Sequence, residues 1–273
     1  FKVDLILSPT GNLLPRTTLN YVYFLGFLSL GVTFVIATGG IDFSIGPVMF
    51  CCALISGYCM TSYHVPCAAA MVICILIGFA FGVFNGWMVS YMSVPPFIIS
   101  MASMNIAKGI ASVFTKTQSV SWPMGSDPVN GWFRNLISYK GFPVGLVIFL
   151  AAAVICGIIL YNTKPGRYIL CLGSNSEAVR LSGVNTKKWR MLAYVICGVL
   201  VGIGAIFFVG AYTTVQPGYT DDCTADRSKS ANHGCTTHYT ACNRFIVVLI
   251  AVSRLNIAKG IASVFTKTQS VSW

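Results

Sequence analysis

The chain has 273 residues, of which 55% are hydrophobic and only 9% are charged. Soluble domains carry about 25% charged residues, so a globule of this length with so few charges would not cover its surface in water. The composition therefore excludes an ordinary soluble protein. The net charge of +11 does not indicate a nucleic-acid partner, because the basic residues lie between apolar segments and form no stripe with interleaved aromatic side chains.

Apolar segments of spanning length predict six membrane crossings, since a helix needs about 20 apolar residues to cross the hydrocarbon core. The predicted crossings are residues 19–38, 45–63, 68–90, 97–114, 143–161 and 191–211. Helices are the structures that satisfy the backbone of such segments in lipid. The sequence thus predicts an all-α, polytopic transmembrane bundle, held in a lipid bilayer and crossing the plasma membrane several times.

The connection between the fifth and sixth crossings sets the predicted orientation. It carries one acid, Glu177, against the basic residues Lys164, Arg167, Arg180, Lys187, Lys188 and Arg190. Loops rich in Lys and Arg stay in the cytoplasm, so this connection is predicted to be cytoplasmic. Alternation from it places residues 39–44 inside and the amino terminus outside.

Two series of small residues predict close helix packing. Gly78, Gly82 and Gly86 recur every four residues, as do Gly198 and Gly202. Small residues let helix backbones approach in lipid. This spacing indicates a packed bundle and says nothing about a transported molecule.

The cysteines are predicted to be structural. Eight of the eleven lie in or beside apolar segments, where Cys packs as a small hydrophobic residue, namely Cys51, Cys52, Cys59, Cys67, Cys74, Cys156, Cys171 and Cys197. The others, Cys223, Cys235 and Cys242, accompany His233 and His238 but form no Cys-x2-Cys pair. The sequence therefore predicts no metal site, and it contains no catalytic constellation.

Three stretches resemble one family of membrane proteins. They are residues 31–46 (GVTFVIATGGIDFSIG), residues 85–109 with their NGWMVSYMSVPPFIIS and NIAKG segments, and residues 166–183 with GRYI and GSNSEAVRLSG. In this order, they resemble the permease subunits of bacterial ATP-binding-cassette importers for ribose, xylose or galactose, within the branched-chain amino-acid and sugar permease superfamily. The resemblance implies a bundle of about ten helices, relative to which this chain is incomplete. Because importer subunits normally start in the cytoplasm and the amino terminus here is predicted outside, a first helix is expected to be missing.

The resemblance also implies the partners. These are an ATP-binding cassette ATPase subunit, an extracytoplasmic sugar-binding protein and a second permease copy in a homodimer. The chain has one Glu and no phosphate-binding loop, so ATP hydrolysis is expected on the separate ATPase. The chain itself is not predicted to be an enzyme or to bind a cofactor.

A short helix in the cytoplasmic connection is the predicted ATPase-docking loop. Ser174 and Glu177 have capping-box spacing, and Gly183 is a natural helix stop. The resemblance assigns docking to Gly173, Asn175, Glu177, Ala178, Arg180, Leu181, Ser182 and Gly183. The alternative is a helix lying on the lipid surface, held there by its basic flanks.

A broken helix and a few polar residues form the candidate translocation path: Gly39, Gly40, Asp42, Ser44, Asn85 and Lys108. Irregular backbone at membrane depth is tolerated where it lines a cavity. Asp42 or Ser44 equally fits a helix cap before Ile45. Lys108 fits either a functional intramembrane charge, paired with Asp42, or a side chain that snorkels to the interface.

The family-like region is predicted to end near Asp221, which gives a permease domain at residues 1–221 and an aberrant tail at 222–273. Residues 256–273 repeat residues 105–122 without a change. Structural repeats diverge in sequence, so identity indicates a recent duplication or a joining error. Three hypotheses stand: a monosaccharide permease subunit, a non-functional rearranged fragment that does not transport as written, and a branched-chain amino-acid permease subunit.

Overall fold

The computed structural model describes residues 13–123, 132–133, 144–212 and 214–217, with side chains from Tyr23 onward. These residues belong to the first of two units into which the chain divides, Phe1–Asp221. The predicted tail, with its repeated segment and its Cys and His residues, lies outside the described residues. The domain assignment therefore stays a prediction.

Eight helices and two short strands make up the described part of the chain. The helices are α1 Leu13–Ala37, α2 Ile45–Tyr63, α3 Cys67–Tyr91, α4 Pro96–Thr115, α5 Val144–Asn162, α6 Lys164–Ser174, α7 Ser176–Leu181 and α8 Thr186–Ala211. Strand β1 (Val120–Ser121) pairs antiparallel with β2 (Thr214–Val215). Within the described ranges, α2, α3, α4, α5 and α8 are long and apolar enough to cross a membrane. The predicted all-α polytopic bundle is confirmed.

Proline and left-handed residues fix several helix ends. Pro96 is the first residue of α4, where the missing N–H of proline costs nothing. His64 ends α2 with φ 51°, and Lys116 ends α4 with φ 51°. These ends lie within a few residues of the predicted ones, because the same residues that break the apolar pattern also break the helix.

Helix α8 lies at the centre of the bundle and packs along α3 and α1. The predicted glycine series face each other across the α3–α8 contact. A Cβ added at Gly82 would lie 2.7 Å from the Tyr194 carbonyl oxygen, and one at Gly202 would lie 2.9 Å from the Cα of Ile75. The predicted packing role is thus confirmed. By contrast, α5 and the outer faces of α3 and α4 leave large apolar side chains exposed, as lipid-facing helices do.

The connection between α5 and α8, predicted to be cytoplasmic, is more ordered than the sequence predicted. Residues 162–190 were expected to hold one short helix, whereas they form α6 and α7 before α8 begins. Thr163 caps α6 by accepting from the Gly166 N–H, and Ile169 and Leu172 turn one apolar face inward. The many charges of this segment interrupt the apolar pattern, so the sequence did not predict α6.

The eight cysteines of the apolar segments are all free thiols. Six of them are buried, which confirms the packing prediction for those six. Cys59 is half-buried and Cys171 is exposed on α6, so the prediction is wrong for Cys171. Its position on the outer side of an amphipathic helix explains the difference.

Candidate functional site

The connection between α1 and α2 is irregular and closely packed. Gly39 has φ +79°, a conformation that favours glycine. Its N–H donates to the Ile36 carbonyl (2.9 Å), and the N–H of Gly40 donates to the Val35 carbonyl (3.2 Å). These bonds form a turn after α1, and Asp42, two residues later, is buried inside the bundle.

A buried hydrogen-bonded network, hereafter the polar network, consists of Asp42, Ser44, Asn85 and Ser103. Oδ1 of Asp42 accepts from the backbone N–H of Ser44 (2.8 Å) and from its hydroxyl (2.6 Å). Nδ2 of Asn85 donates to the Ser44 hydroxyl (3.1 Å), and the Ser103 hydroxyl donates to Oδ1 of Asn85. The network therefore joins the α1–α2 connection and α2 to α3 and α4.

Burial makes these bonds important. All four side chains of the polar network are at most 9% exposed. A buried polar group without a partner costs about 1–3 kcal/mol, and a polar group inside a membrane marks a functional segment. The capping interpretation is wrong for the Ser44 side chain, which stands at the N-cap position of α2 but makes no cap bond and donates to Asp42 instead. The Asp42 carboxylate accepts the N–H of Ser44 itself, the residue just before α2.

Lys108 lies outside the polar network. It is half-buried on α4, next to the fully buried Ala107. The hydrogen bonds that Asp42 accepts come from Ser44, so the predicted Asp42–Lys108 pair is not found among the described residues. The rotation of α4 explains the difference, because its buried face carries Ser103, Ala107 and Ala111, and Lys108 lies beside that face.

Ser103 was missed by the sequence reasoning, although a signal was available. Ser103, Ala107 and Ala111 are small residues at four-residue spacing, and all three are buried on one face of α4. Such a stripe indicates a helix contact, and Ser in a stripe donates across it. The same reasoning applied to α4 would have placed Ser103 opposite a polar residue of a neighbouring helix.

Two cavities have Tyr194 of α8 in common, and the smaller of them adjoins the polar network. The larger one, hereafter the vestibule, has a volume of about 290 Å³ and is lined by Thr38, Gly39, Gly40, Val89, Ser93, Val94, Pro95, Pro96, Arg190 and Tyr194. These residues come from helix ends that are predicted to be cytoplasmic. The smaller cavity, of about 10 Å³, is lined by the polar network residues Asp42, Ser44 and Asn85 together with Tyr194 and Cys197. It has room for about one water molecule.

The predicted docking loop forms a capped helical turn. Asn175 caps α7, since its Oδ1 accepts from the N–H groups of Glu177 and Ala178 (both 3.1 Å). The predicted cap at Ser174 is wrong, because Ser174 is the last residue of α6. Glu177 pairs with Arg180 at 2.9 Å, whereas a capping box would turn it back to the cap residue.

The end of α7 matches the prediction and leaves an exposed apolar side chain. Gly183 has φ +80°, and its N–H donates to the Arg180 carbonyl (3.1 Å), which confirms the predicted helix stop. Leu181 is 82% exposed beside the exposed Arg180. Single exposed apolar side chains are common on protein surfaces, so the docking role stays a prediction.

The docking loop contacts the broken end of α1. A Cβ added at Gly173 would collide with the carbonyl oxygen of Ala37, so the backbones of α6 and α1 touch there. Ala37 precedes the Gly39–Gly40 turn by two residues. The loop therefore contacts the chain two residues before the glycines that line the vestibule.

Comparison with known protein families identifies the family of this chain. The family described as branched-chain amino acid transport system / permease component matches residues 14–226. The chain belongs to this family. The polar network, both cavities and the docking loop all lie within the residues that match the family.

Curated relatives of the permease chain are import permeases. It is 30% identical over 215 residues to the ribose import permease protein of Escherichia coli K12, which covers 76% of this chain and 62% of the relative. It is 29% identical to the fructose import permease protein FruG of Bifidobacterium longum, with 74% and 62% covered. It is 28% identical over 211 residues to the autoinducer 2 import system permease protein of Photorhabdus luminescens, with 75% and 62% covered.

The permease chain thus spans 62% of the length of these relatives. No solved structure matches it significantly. Its family and its apolar helices make it a multi-pass protein of the plasma membrane.

Proposed function

We propose that the chain is a membrane-spanning permease subunit of an ATP-binding-cassette importer that moves a monosaccharide of the ribose, xylose or galactose type. The observation that carries the proposal is the family match over residues 14–226, together with relatives named for ribose and fructose import. ATP hydrolysis belongs to a separate ATPase subunit. A sugar-binding protein on the outer side and a second permease copy complete the importer.

The polar network and the vestibule are the proposed part of the sugar path. A sugar ring needs hydrogen-bonding groups along an otherwise apolar wall, and the polar network supplies a carboxylate, a hydroxyl and an amide. The vestibule, at about 290 Å³, is close to the lower limit of about 300 Å³ for small-molecule pockets. The cavity beside the polar network, at about 10 Å³, is too small for a sugar, so this conformation is closed at that level.

The docking loop is the proposed contact with the ATPase. Leu181 is exposed at the tip, and Asn175 and Gly183 fix the ends of the short helix that presents it. The close contact of Gly173 with Ala37 links this loop to the vestibule. ATP-driven motion of the ATPase would reach the sugar path through this contact.

Vesicle uptake tests the proposed function. Residues 14–226, joined to the portion of the Escherichia coli ribose permease that the match does not cover, are reconstituted with the ATPase and the sugar-binding protein of that system. We expect ATP-dependent accumulation of radiolabelled ribose above that of leucine, with xylose, galactose and fructose as further substrates. Accumulation of leucine alone would favour an amino-acid permease, and no accumulation by a correctly inserted protein would contradict the proposal.

The double substitution Arg180→Glu and Leu181→Asp is expected to abolish binding of the ATPase without affecting membrane insertion. Both side chains are exposed and contribute nothing to the core, so the expected change in stability is below about 0.5 kcal/mol. The measurement is recovery of the ATPase on the immobilised permease. Lys188→Glu, in the first turn of α8, is the control for reversal of a nearby exposed positive charge. Equal recovery by the unsubstituted permease, the double variant and the control would show that α7 does not dock the ATPase.

A further inference from the structure

Tyr194 lies between the two cavities and contributes to the lining of both. Its side chain is 2% exposed. Its companions in the vestibule lining include Gly40 and Arg190, and its companions in the small-cavity lining include Asp42, Ser44 and Cys197. Tyr194 is the one residue that both linings contain.

The hydroxyl of Tyr194 is buried and has no hydrogen-bond partner among the described residues. An unpaired buried hydroxyl costs about 1–3 kcal/mol, and phenylalanine would fill the same space without that cost. Filling space therefore does not explain why this residue is tyrosine and not phenylalanine. A second conformation in which the hydroxyl forms hydrogen bonds does explain it.

The surroundings of Tyr194 leave room for such a second conformation on one side only. Backbone atoms of α3 lie close against its own backbone, because Gly82 and Gly86 allow the contact. The hydroxyl rests over Gly40, where an added Cβ would lie 2.5 Å from it. The free space lies toward the vestibule, which Arg190, one turn earlier on α8, also lines. A ring that swings into the vestibule exchanges an unpaired hydroxyl for one in contact with water.

We propose that Tyr194 is the gate between the vestibule and the polar network. In the described conformation its ring closes the sugar path, and rotation into the vestibule joins the two cavities. The hydroxyl has no partner among the described residues in the closed state, which keeps that state only marginally favoured. This assignment rests on the proposed function for its biological meaning. The physical gate itself is testable without sugar, ATP or partner proteins.

The test uses Cys197, a native thiol that lines the small cavity behind Tyr194. Inside-out vesicles containing the full chain are treated with a membrane-impermeant maleimide, and modification is followed at each cysteine by mass spectrometry. Cys171, exposed on α6, reports equal access of the reagent. Cys74, whose thiol donates to the Gly202 carbonyl in the α3–α8 contact, reports loosening of the bundle.

Two variants separate a gate from a structural core residue. In Tyr194→Ala, we expect modification of Cys197 to be on the order of tenfold faster with Cys74 unchanged, because a buried thiol reacts only through opening. In Tyr194→Phe, the ring remains and the unpaired hydroxyl is gone, so we expect modification about fivefold or more slower than in the unsubstituted chain.

Three results would overturn the proposal that Tyr194 is a gate. They are equal Cys197 rates in all three proteins, parallel increases at Cys197 and Cys74, and a Tyr194→Phe variant that reacts as fast as Tyr194→Ala. Because the assay contains no transported molecule, a failure of sugar uptake leaves a positive labelling result standing. A failure of labelling likewise leaves the permease assignment intact.

Discussion

Replacement of Gly198 by Leu is expected to prevent stable packing of α3 on α8. A Cβ at this position would collide with the Gly78 carbonyl oxygen and would lie 2.8 Å from the Cα of Gly82. These are backbone atoms, so no side-chain rotation relieves the overlap, and the helices must separate. We expect a loss of about 3 kcal/mol or more, at the upper end of the range for over-packing. The measurement is thermal unfolding of the purified chain in detergent.

Gly157→Leu on α5 is the matched control for this substitution. An added Cβ at Gly157 meets no heavy atom within 4 Å, so the same change in side-chain size should leave the unfolding temperature nearly unchanged. If both variants unfolded at the temperature of the unsubstituted chain, the close α3–α8 contact would be wrong. If both were equally destabilised, the effect would not come from that contact.

Asn85→Leu is expected to lower sugar uptake by about tenfold or more while the chain still inserts, because it removes the polar group that joins α3 to α2 and α4. Leucine has nearly the same volume, but it neither donates to Ser44 nor accepts from Ser103. The Ser103 hydroxyl then loses the acceptor it has in the polar network. Uptake is measured in reconstituted vesicles and normalised to the amount of inserted protein.

Asn105→Leu provides the control for Asn85→Leu. Asn105 is an exposed residue of α4 whose amide donates to the Met101 carbonyl (3.0 Å) of its own helix. The control removes an asparagine from a spanning helix without touching the polar network, so uptake should persist. Uptake by Asn85→Leu at the level of Asn105→Leu would mean that the polar network is dispensable.

The sequence predicted the helices well because the membrane imposes a strong and simple pattern. The predicted segment 45–63 coincides with α2, and the predicted stop at Gly183 has the left-handed conformation that glycine favours. Helix α6 was missed because its apolar face, with Ile169 and Leu172, is short and interrupted by charges. Segment length and charge are local properties, and they predict local structure.

The site was only partly predictable, since hydrogen-bond partners depend on three-dimensional neighbours. Asp42, Ser44 and Asn85 were candidates, and the structure brings them together. Lys108 was a candidate too, but which residue meets Asp42 depends on helix rotation, which the sequence does not give. Tyr194 was not a candidate, because an aromatic residue in an apolar helix gives no signal of a functional role. Its position between two cavities follows only from the packing of α3 against α8.

Sugar protection of a cysteine introduced by Ser44→Cys is the most direct measurement of the proposed sugar path. The new thiol occupies the centre of the polar network, which is closed in the described conformation and should open during ATP-driven turnover. We predict that a small methanethiosulfonate reagent blocks uptake only in the presence of ATP, and that the transported sugar slows this modification. The unsubstituted chain, treated in the same way, corrects for the native thiols. Modification of the introduced thiol that leaves uptake unchanged, or that the sugar does not slow, would contradict a path through the polar network.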